Sequence, residues 1–385
     1  LMKLLGMQDS PVKIYGWIQN SFTANANGKP ASGINFGVNP NNLANQWMGN
    51  QYYLIVEKLL KQDNSVNFGF RIDNLFGNDW QFNHMAGLLD NAYKLNQFSG
   101  WDPAQFYGEV HLPILAEKGL DIRVGRFYTL EGYEVVPAIG RPLLSVPYMF
   151  YYGQPFTHMG VMTTLNLSDK FKLYNCAVNG WDRFINENYK WGYMGGFNYT
   201  FNEDKTNVTF NCIWGPNQFP TFLPNNTQIF PTGYVNPPGA AGLPNNGYEV
   251  NTRVLFTTVI THKWNARLTH DIETDQASEQ AIPGLGGGNR SQSAEWYAFG
   301  NWFLYNFHDK LTGVWRSEVF RDDDGVRTGY ADTFYEMTMG LIYKPTPWLW
   351  VRPEARYDWA QFKTPYDDGT KGSQFTYGLD VILLY

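Results

Sequence analysis

The chain has 385 residues, of which 43% are hydrophobic, 17% aromatic and only 17% charged, with a net charge of −6. That acidic balance argues against nucleic acid as a partner, because phosphate binding wants a basic face. No stretch reaches the roughly 18 to 20 apolar residues of a membrane helix, which argues against a helical membrane protein.

The aromatic content comprises 27 Phe, 25 Tyr and 14 Trp. Such residues suit β-strands, and they suit a membrane boundary where one end of the ring is apolar and the other wet. Residues 1–10 (LMKLLGMQDS) read as a short amphipathic turn, expected on the periplasmic side and outside the main fold. From residue 11 onward, alternation of apolar and polar residues replaces any helical period.

Taken in chain order, strands are expected near 11–24, 49–60, 64–76, 103–115, 119–128, 156–167, 170–181, 190–201, 205–214, 249–262, 264–275, 293–307, 310–321, 332–344, 348–361 and 373–385. The clearest is 349–359, LWVRPEARYDW. One parity carries Leu349, Val351, Pro353, Ala355, Tyr357 and Trp359. The other carries Arg352, Glu354, Arg356 and Asp358. Successive side chains of a strand point to opposite faces, so one face is apolar and the other charged. The 333–343 segment repeats the pattern, with Tyr335, Met337, Met339, Leu341 and Tyr343 against Glu336 and Thr338.

The connections alternate between short and long. Short ones fall near 62–64, 117–118, 168–169, 202–204, 263, 308–309 and 345–347. Long ones cover 25–48, 77–102, 129–155, 182–189, 215–248, 276–292, 322–331 and 362–372. Tight turns on one side and long loops on the other are the layout of an outer-membrane barrel, with periplasmic turns and extracellular loops. The expected fold is thus an all-β transmembrane antiparallel barrel over 11–385, of about sixteen strands, with fourteen or eighteen as neighbours. A soluble β-sandwich that binds carbohydrate also alternates, but it does not explain the regular exchange of turns and loops.

Cys176 and Cys212 are both placed on outward faces with a strand between them. Adjacent strands lie about 4.8 Å apart, so that gap is too wide for a disulfide.

Several segments resemble the OmpL-like β-barrel porin family. They are KIYGW at 13–17, FGFRIDNLFGND at 68–79, RVGRFYTLEGYE at 123–134, PFTHMG at 155–160, VNGWD at 178–182, RSEVFRDDDGVRTG at 316–329 and RPEARYDW at 352–359. They span nearly the whole chain in order. The resemblance implies an outer-membrane porin that lets small hydrophilic solutes and ions diffuse passively. It implies no particular solute and no cofactor. By analogy with general porins, a homotrimer embedded in outer-membrane lipid is expected.

With the apolar parity toward lipid, the polar parity lines the lumen. Its charged members are Arg71, Asp73, Glu109, His111, Asp121, Arg123, Arg253, Arg267, Asp271, Arg316, Glu318, Glu336, Arg352, Glu354, Arg356, Asp358 and Asp380. An Arg or Lys facing lipid at the midplane would cost roughly 2 to 4 kcal/mol, which decides the orientation. Neighbouring opposite charges brace the wall or set a transverse field. They argue against strong ion selection, which uses rings of one sign.

The loop at 129–155 is too apolar to be solvated. Val135, Val136, Leu143, Leu144, Val146, Met149 and Phe150 need burial, so inward folding is expected. Glu131, Glu134 and Arg141 are then expected near a constriction.

The DDDG run at 322–325 departs from the calcium-loop spacing and reads as a turn with a left-handed glycine. The PGLGGG run at 283–288 lacks the strand-then-helix context of a nucleotide site. No H-E-x-x-H, G-x-S-x-G or C-x-x-C motif is present. An outer-membrane barrel enzyme of lipase or protease type would have to assemble its residues from distant strands.

Overall fold

The computed structural model describes residues 1–2, 4–85, 87–88, 98–185, 190–216, 252–283 and 291–385. Sixteen strands follow in order: β1 (Val12–Asn25), β2 (Gln46–Lys58), β3 (Asn67–Gly77), β4 (Gly100–Leu112), β5 (Leu120–Tyr128), β6 (Thr157–Asn166), β7 (Phe171–Val178), β8 (Gly192–Phe201), β9 (Thr206–Gly215), β10 (Arg253–Lys263), β11 (Leu268–Pro283), β12 (Ser291–His308), β13 (Leu311–Asp322), β14 (Asp332–Thr346), β15 (Leu349–Ala360) and β16 (Ser373–Leu384). One four-residue helix, α1 (Trp80–Asn83), follows β3.

Every strand pairs antiparallel with its chain neighbours, and β1 pairs with β16 from Trp17↔Leu384 to Asn25↔Thr376. Closure leaves no sheet edge, which a strand protein in lipid requires. Among the described residues no helix is long and apolar enough to cross a membrane.

The two parities separate as the alternation predicts. Phe68, Ile72, Met337, Met339, Leu341, Tyr343, Tyr357 and Tyr377 are exposed on the outer face. Arg316, Glu318, Glu336, Arg352, Glu354, Arg356, Asp358 and Asp380 are buried on the inner one.

Three sequence expectations change. First, the turn between β10 and β11 occupies 264–267, so Arg267 stands in an exposed turn rather than in a strand wall. Asn265 holds that turn by accepting the N–H groups of Arg267 and Leu268, a local competition that ends the ladder.

Second, β11 and β12 run on to Pro283 and back from Ser291, so much of 276–292 is strand. The inward parity continues through Glu273, Asp275, Ala277 and Glu279, all buried. Residues 284–288 of the glycine run, and the 217–248 part of the 215–248 loop, lie outside the described residues.

Third, Cys176 points inward among Met162, Val178 and Met194. Only Cys212 shares the outward parity of Phe210 and Trp214. Both cysteines are free.

The DDDG turn carries Gly325 at φ 71°. Buried Asp322 gathers it by accepting the N–H groups of Val326, Arg327 and Thr328.

Candidate functional site: the lumen and its inward loop

A loop inside a barrel brings backbone N–H and C=O groups into a water-poor space, and each needs a partner. The inner wall supplies them to residues 129–155. Glu354 accepts the N–H groups of Leu144 and Ser145 at 2.9 and 3.1 Å. Glu318 accepts those of Tyr148 and Met149 at 2.6 and 2.5 Å.

The arginines of the same wall donate to carbonyls. Arg316 reaches Ser145 O at 2.6 Å, and Arg352 reaches Ala138 O and Arg141 O at 3.0 and 2.7 Å. Arg356 reaches Val146 O at 2.7 Å and also Gly37 O of the loop after β1. Each arginine is held in turn by a carboxylate: Glu336, Asp380 and Asp358 respectively.

The contacts continue round the barrel. Gln51 of β2 bonds both Val136 O and Ala138 N–H, and Asn211 of β9 donates to Leu130 O. Thr257, Glu273, Trp296 and Trp302 of β10, β11 and β12 add bonds to Glu131, Tyr133 N–H, Gly153 O and Glu134. The loop is therefore fastened along the arc that runs from β2 through β16 back to β9.

Wall glycines make room for its apolar side chains. A methyl at Gly340 would stand 2.4 Å from Leu143 Cδ2, and one at Gly378 would stand 3.1 Å from Leu144 Cδ2. At Gly300 a methyl would stand 2.8 Å from the Trp302 ring and 3.1 Å from Met149 Sδ. The loop's aromatic end packs Tyr148 against Phe334, Phe320 and Tyr152. Arg316, Glu318, Glu336, Arg352, Glu354, Arg356 and Asp358 face inward, as their parity predicts, but all are buried. Arg316, Glu318, Arg352, Glu354 and Arg356 meet the backbone of 129–155 directly, and Glu336 and Asp358 hold Arg316 and Arg356.

Glu131, Glu134 and Arg141 are also buried, so none lines an open constriction. Glu134 and Arg141 belong to one network: Arg316 lies 3.5 Å from Glu134, and Arg141 lies 3.6 Å from Asp79. Burial raises the Glu134 carboxyl and Asp79 even so, and lowers Arg141, because desolvation outweighs these pairs. Glu131 lies apart, hydrogen-bonded to Thr257 at 2.6 Å. Burial, aided by Glu273, pushes its carboxyl up to about 8.

Part of the opposite arc is open. Between β2 and β6 lies a cavity of about 230 Å³, lined by Glu57, Lys58, Arg71, Tyr107, Glu109, Asp121 and Arg123 among others. Arg71 and Arg123 are 23% and 28% exposed, against 0% for Arg316 and Arg356. Asp73, fully buried, braces Arg71 at 2.7 Å. Asp121 accepts from His111 at 2.6 Å. A second open cavity of about 590 Å³ at the short-turn rim collects Arg267, Lys310 and Lys344.

The remaining charges pair within the wall. Arg253 meets Glu279 at 2.8 Å, and Asp271 accepts from Thr261 at 2.5 Å.

Several functional residues escaped the sequence reading. Glu273 and Asp275 continue the parity of Asp271 within the expected strand 264–275, and Glu279 would have followed from a longer β11. Asn211 lies on the polar parity of 205–214 but was not singled out, and Gln51 and Trp302 carried no signal. Arg126, bound to Asp102 at 2.5 Å, reaches the interior only three residues after Arg123. Strict alternation forbids that. Gly125 at φ 136° stands between them, and a Cβ there would meet Phe106 O at 2.2 Å.

A closed sixteen-stranded barrel with lipid-facing aromatics, a charged interior and a loop folded into the lumen defines the class of outer-membrane porins. The family model described as "Putative beta-barrel porin-2, OmpL-like" matches residues 11–385, and the chain belongs to that family. Its place is the outer membrane.

Among solved structures, the outer membrane channel DcaP of Acinetobacter baumannii is similar at TM-score 0.63 and 10% identity, covering 97% of each chain. The anion-selective porin from Comamonas acidovorans gives 0.62 and 9%, with 97% and 99% covered. OprB of Pseudomonas putida gives 0.61 and 11%, with 100% and 96% covered. At such identities the likeness is one of fold. A sequence search of curated proteins found no match.

Proposed function

We propose that this porin passes small hydrophilic solutes and ions by passive diffusion along the arc left open by residues 129–155. The observation that carries this reading is the mixed-charge cavity between β2 and β6. There Arg71, Glu109, Asp121 and Arg123 stand in contact with solvent while the rest of the charged wall is covered.

In this reading Asp73 positions Arg71, and the loop fixes the width of the path through its fastening on β13 and β15. Glu131, Glu134 and Arg141 tie the loop to its surroundings through Thr257, through Trp302 and Arg316, and through Asp79. Paired opposite charges keep the path hydrated without the single-signed ring that strong ion selection uses.

The test is reconstitution into a planar bilayer. Stepwise conductance with weak ion selectivity is the expected result. A folded, silent barrel would overturn the proposal. The assembly proposed, by analogy with general porins, is a homotrimer, and cross-linking in native membranes should trap a three-chain species.

A further inference from the structure

The ion pairs around the open cavity use only part of their bonding capacity. Arg123 gives Nε and Nη2 to a single oxygen, Oε2 of Glu109, at 3.1 and 2.9 Å. Its guanidinium carbon lies 4.1 Å over the ring of Tyr107. Stacking and pairing together fix the plane of the group. They leave Nη1 of Arg123 without a partner among the described residues, and Oε1 of Glu109 likewise.

A forked donor and a carboxylate oxygen, both unmet, therefore stand side by side on one wall. Arg71, the cross-strand neighbour of Tyr107, differs in that each of its three nitrogens already donates to Glu57 or Asp73.

The charge balance narrows the ligand. Three cations, Lys58, Arg71 and Arg123, line the cavity against three anions, Glu57, Glu109 and Asp121. A lone anion drawn to Nη1 meets the Glu109 carboxylate beside it. A lone cation drawn to Glu109 meets Arg123. A solute carrying both charged groups on one carbon satisfies each group and repels neither.

We propose that this cavity is a binding subsite for zwitterionic α-amino acids, with the carboxylate on Nη1 of Arg123 and the ammonium on Oε1 of Glu109. The volume of about 230 Å³ matches about eight water molecules, enough for the head group and a small side chain. Tyr107 and Met162 offer the side chain an apolar surface, and Thr164 a hydroxyl.

The inference deepens the diffusion reading, but equilibrium binding does not depend on passage, so the two can fail separately. The experiment is calorimetric titration of the whole detergent-held protein with serine and glutamine, with xylose and acetate as controls. Saturable binding of both amino acids is expected, with no comparable binding of xylose or acetate.

The double variant R123Q/E109Q keeps the net charge and should weaken amino-acid binding by about tenfold or more, since charge-assisted contacts are the strong ones. The single variant Glu109→Gln serves where the double variant does not fold, and should weaken binding in the same direction. No saturable binding, unchanged affinity in the variants, or equal binding of acetate would each overturn the proposal.

A second arm measures flux into vesicles. Amino-acid flux should saturate in the parent protein and turn linear in the double variant. Binding without any flux would count against the pore and leave the subsite standing.

Discussion

The wall of β13 to β16 and the wall of β3 to β5 are written in the same way, as arginines and carboxylates alternating with apolar residues. They do different work. In the first, Arg316, Arg352 and Arg356 are buried, each held by a carboxylate, and each donates to a carbonyl of residues 129–155. In the second, Arg71 and Arg123 remain in contact with solvent over a cavity. The difference lies not in the strands but in what covers them. A buried loop demands partners for its backbone, and charged side chains meet that demand more strongly than neutral ones.

The largest expected effect comes from removing the cover. Deleting residues 135–150 should raise single-channel conductance several-fold in a still-folded barrel, because the covered wall would then join the path. Unchanged conductance in the deletion would mean that the loop does not narrow the pore.

Next comes a matched pair of substitutions. Glu318→Ala strips the acceptor from two buried N–H groups and should cost roughly 2 to 4 kcal/mol. Glu109→Ala on the open arc should cost no more than about 1 kcal/mol. Urea unfolding in micelles, followed by tryptophan fluorescence, reads both. Equal costs would erase the distinction between the two walls.

A third test uses the glycine sockets. Gly340→Val drives atoms into Leu143 and should destabilise by about 1 to 3 kcal/mol while speeding amide exchange in 141–146. Gly108, with open space around its Cβ position, should accept Val within about 0.5 kcal/mol.

A last test uses pH. The Glu131 carboxyl is raised by burial from 4.5 to about 8 in the folded chain. The folded state then binds more proton than the unfolded one between these values, so stability falls as pH rises through that window. Midpoints of thermal unfolding should be lower at pH 8.5 than at pH 5, and Glu131→Gln should flatten the slope. A slope that survives the substitution would point to another group.

Much of this was legible in the sequence. Alternation fixes the face of a strand because the side-chain period is two, and the exchange of short and long connections fixes the layout of a barrel. Hence all sixteen strands were expected close to where they lie. Arg352, Glu354, Arg356 and Asp358 were assigned to the inner face on parity alone. Alternation failed where the backbone departs from it, as at Gly125, and it was cut short at 275, where Ala277 and Glu279 continue β11. It also placed Arg267 in a wall that ends one turn earlier.

What the sequence determined by itself is the closed barrel, its outer apolar face and its inner charged one, since these follow from local period and from the cost of a charge in lipid. Only the tertiary structure decided which inner charges meet water. That choice depends on the course of residues 129–155 across the lumen, set by contacts such as Glu318 with Tyr148 N–H and Arg352 with Arg141 O. Those partners lie more than 150 residues apart, beyond the reach of any local pattern.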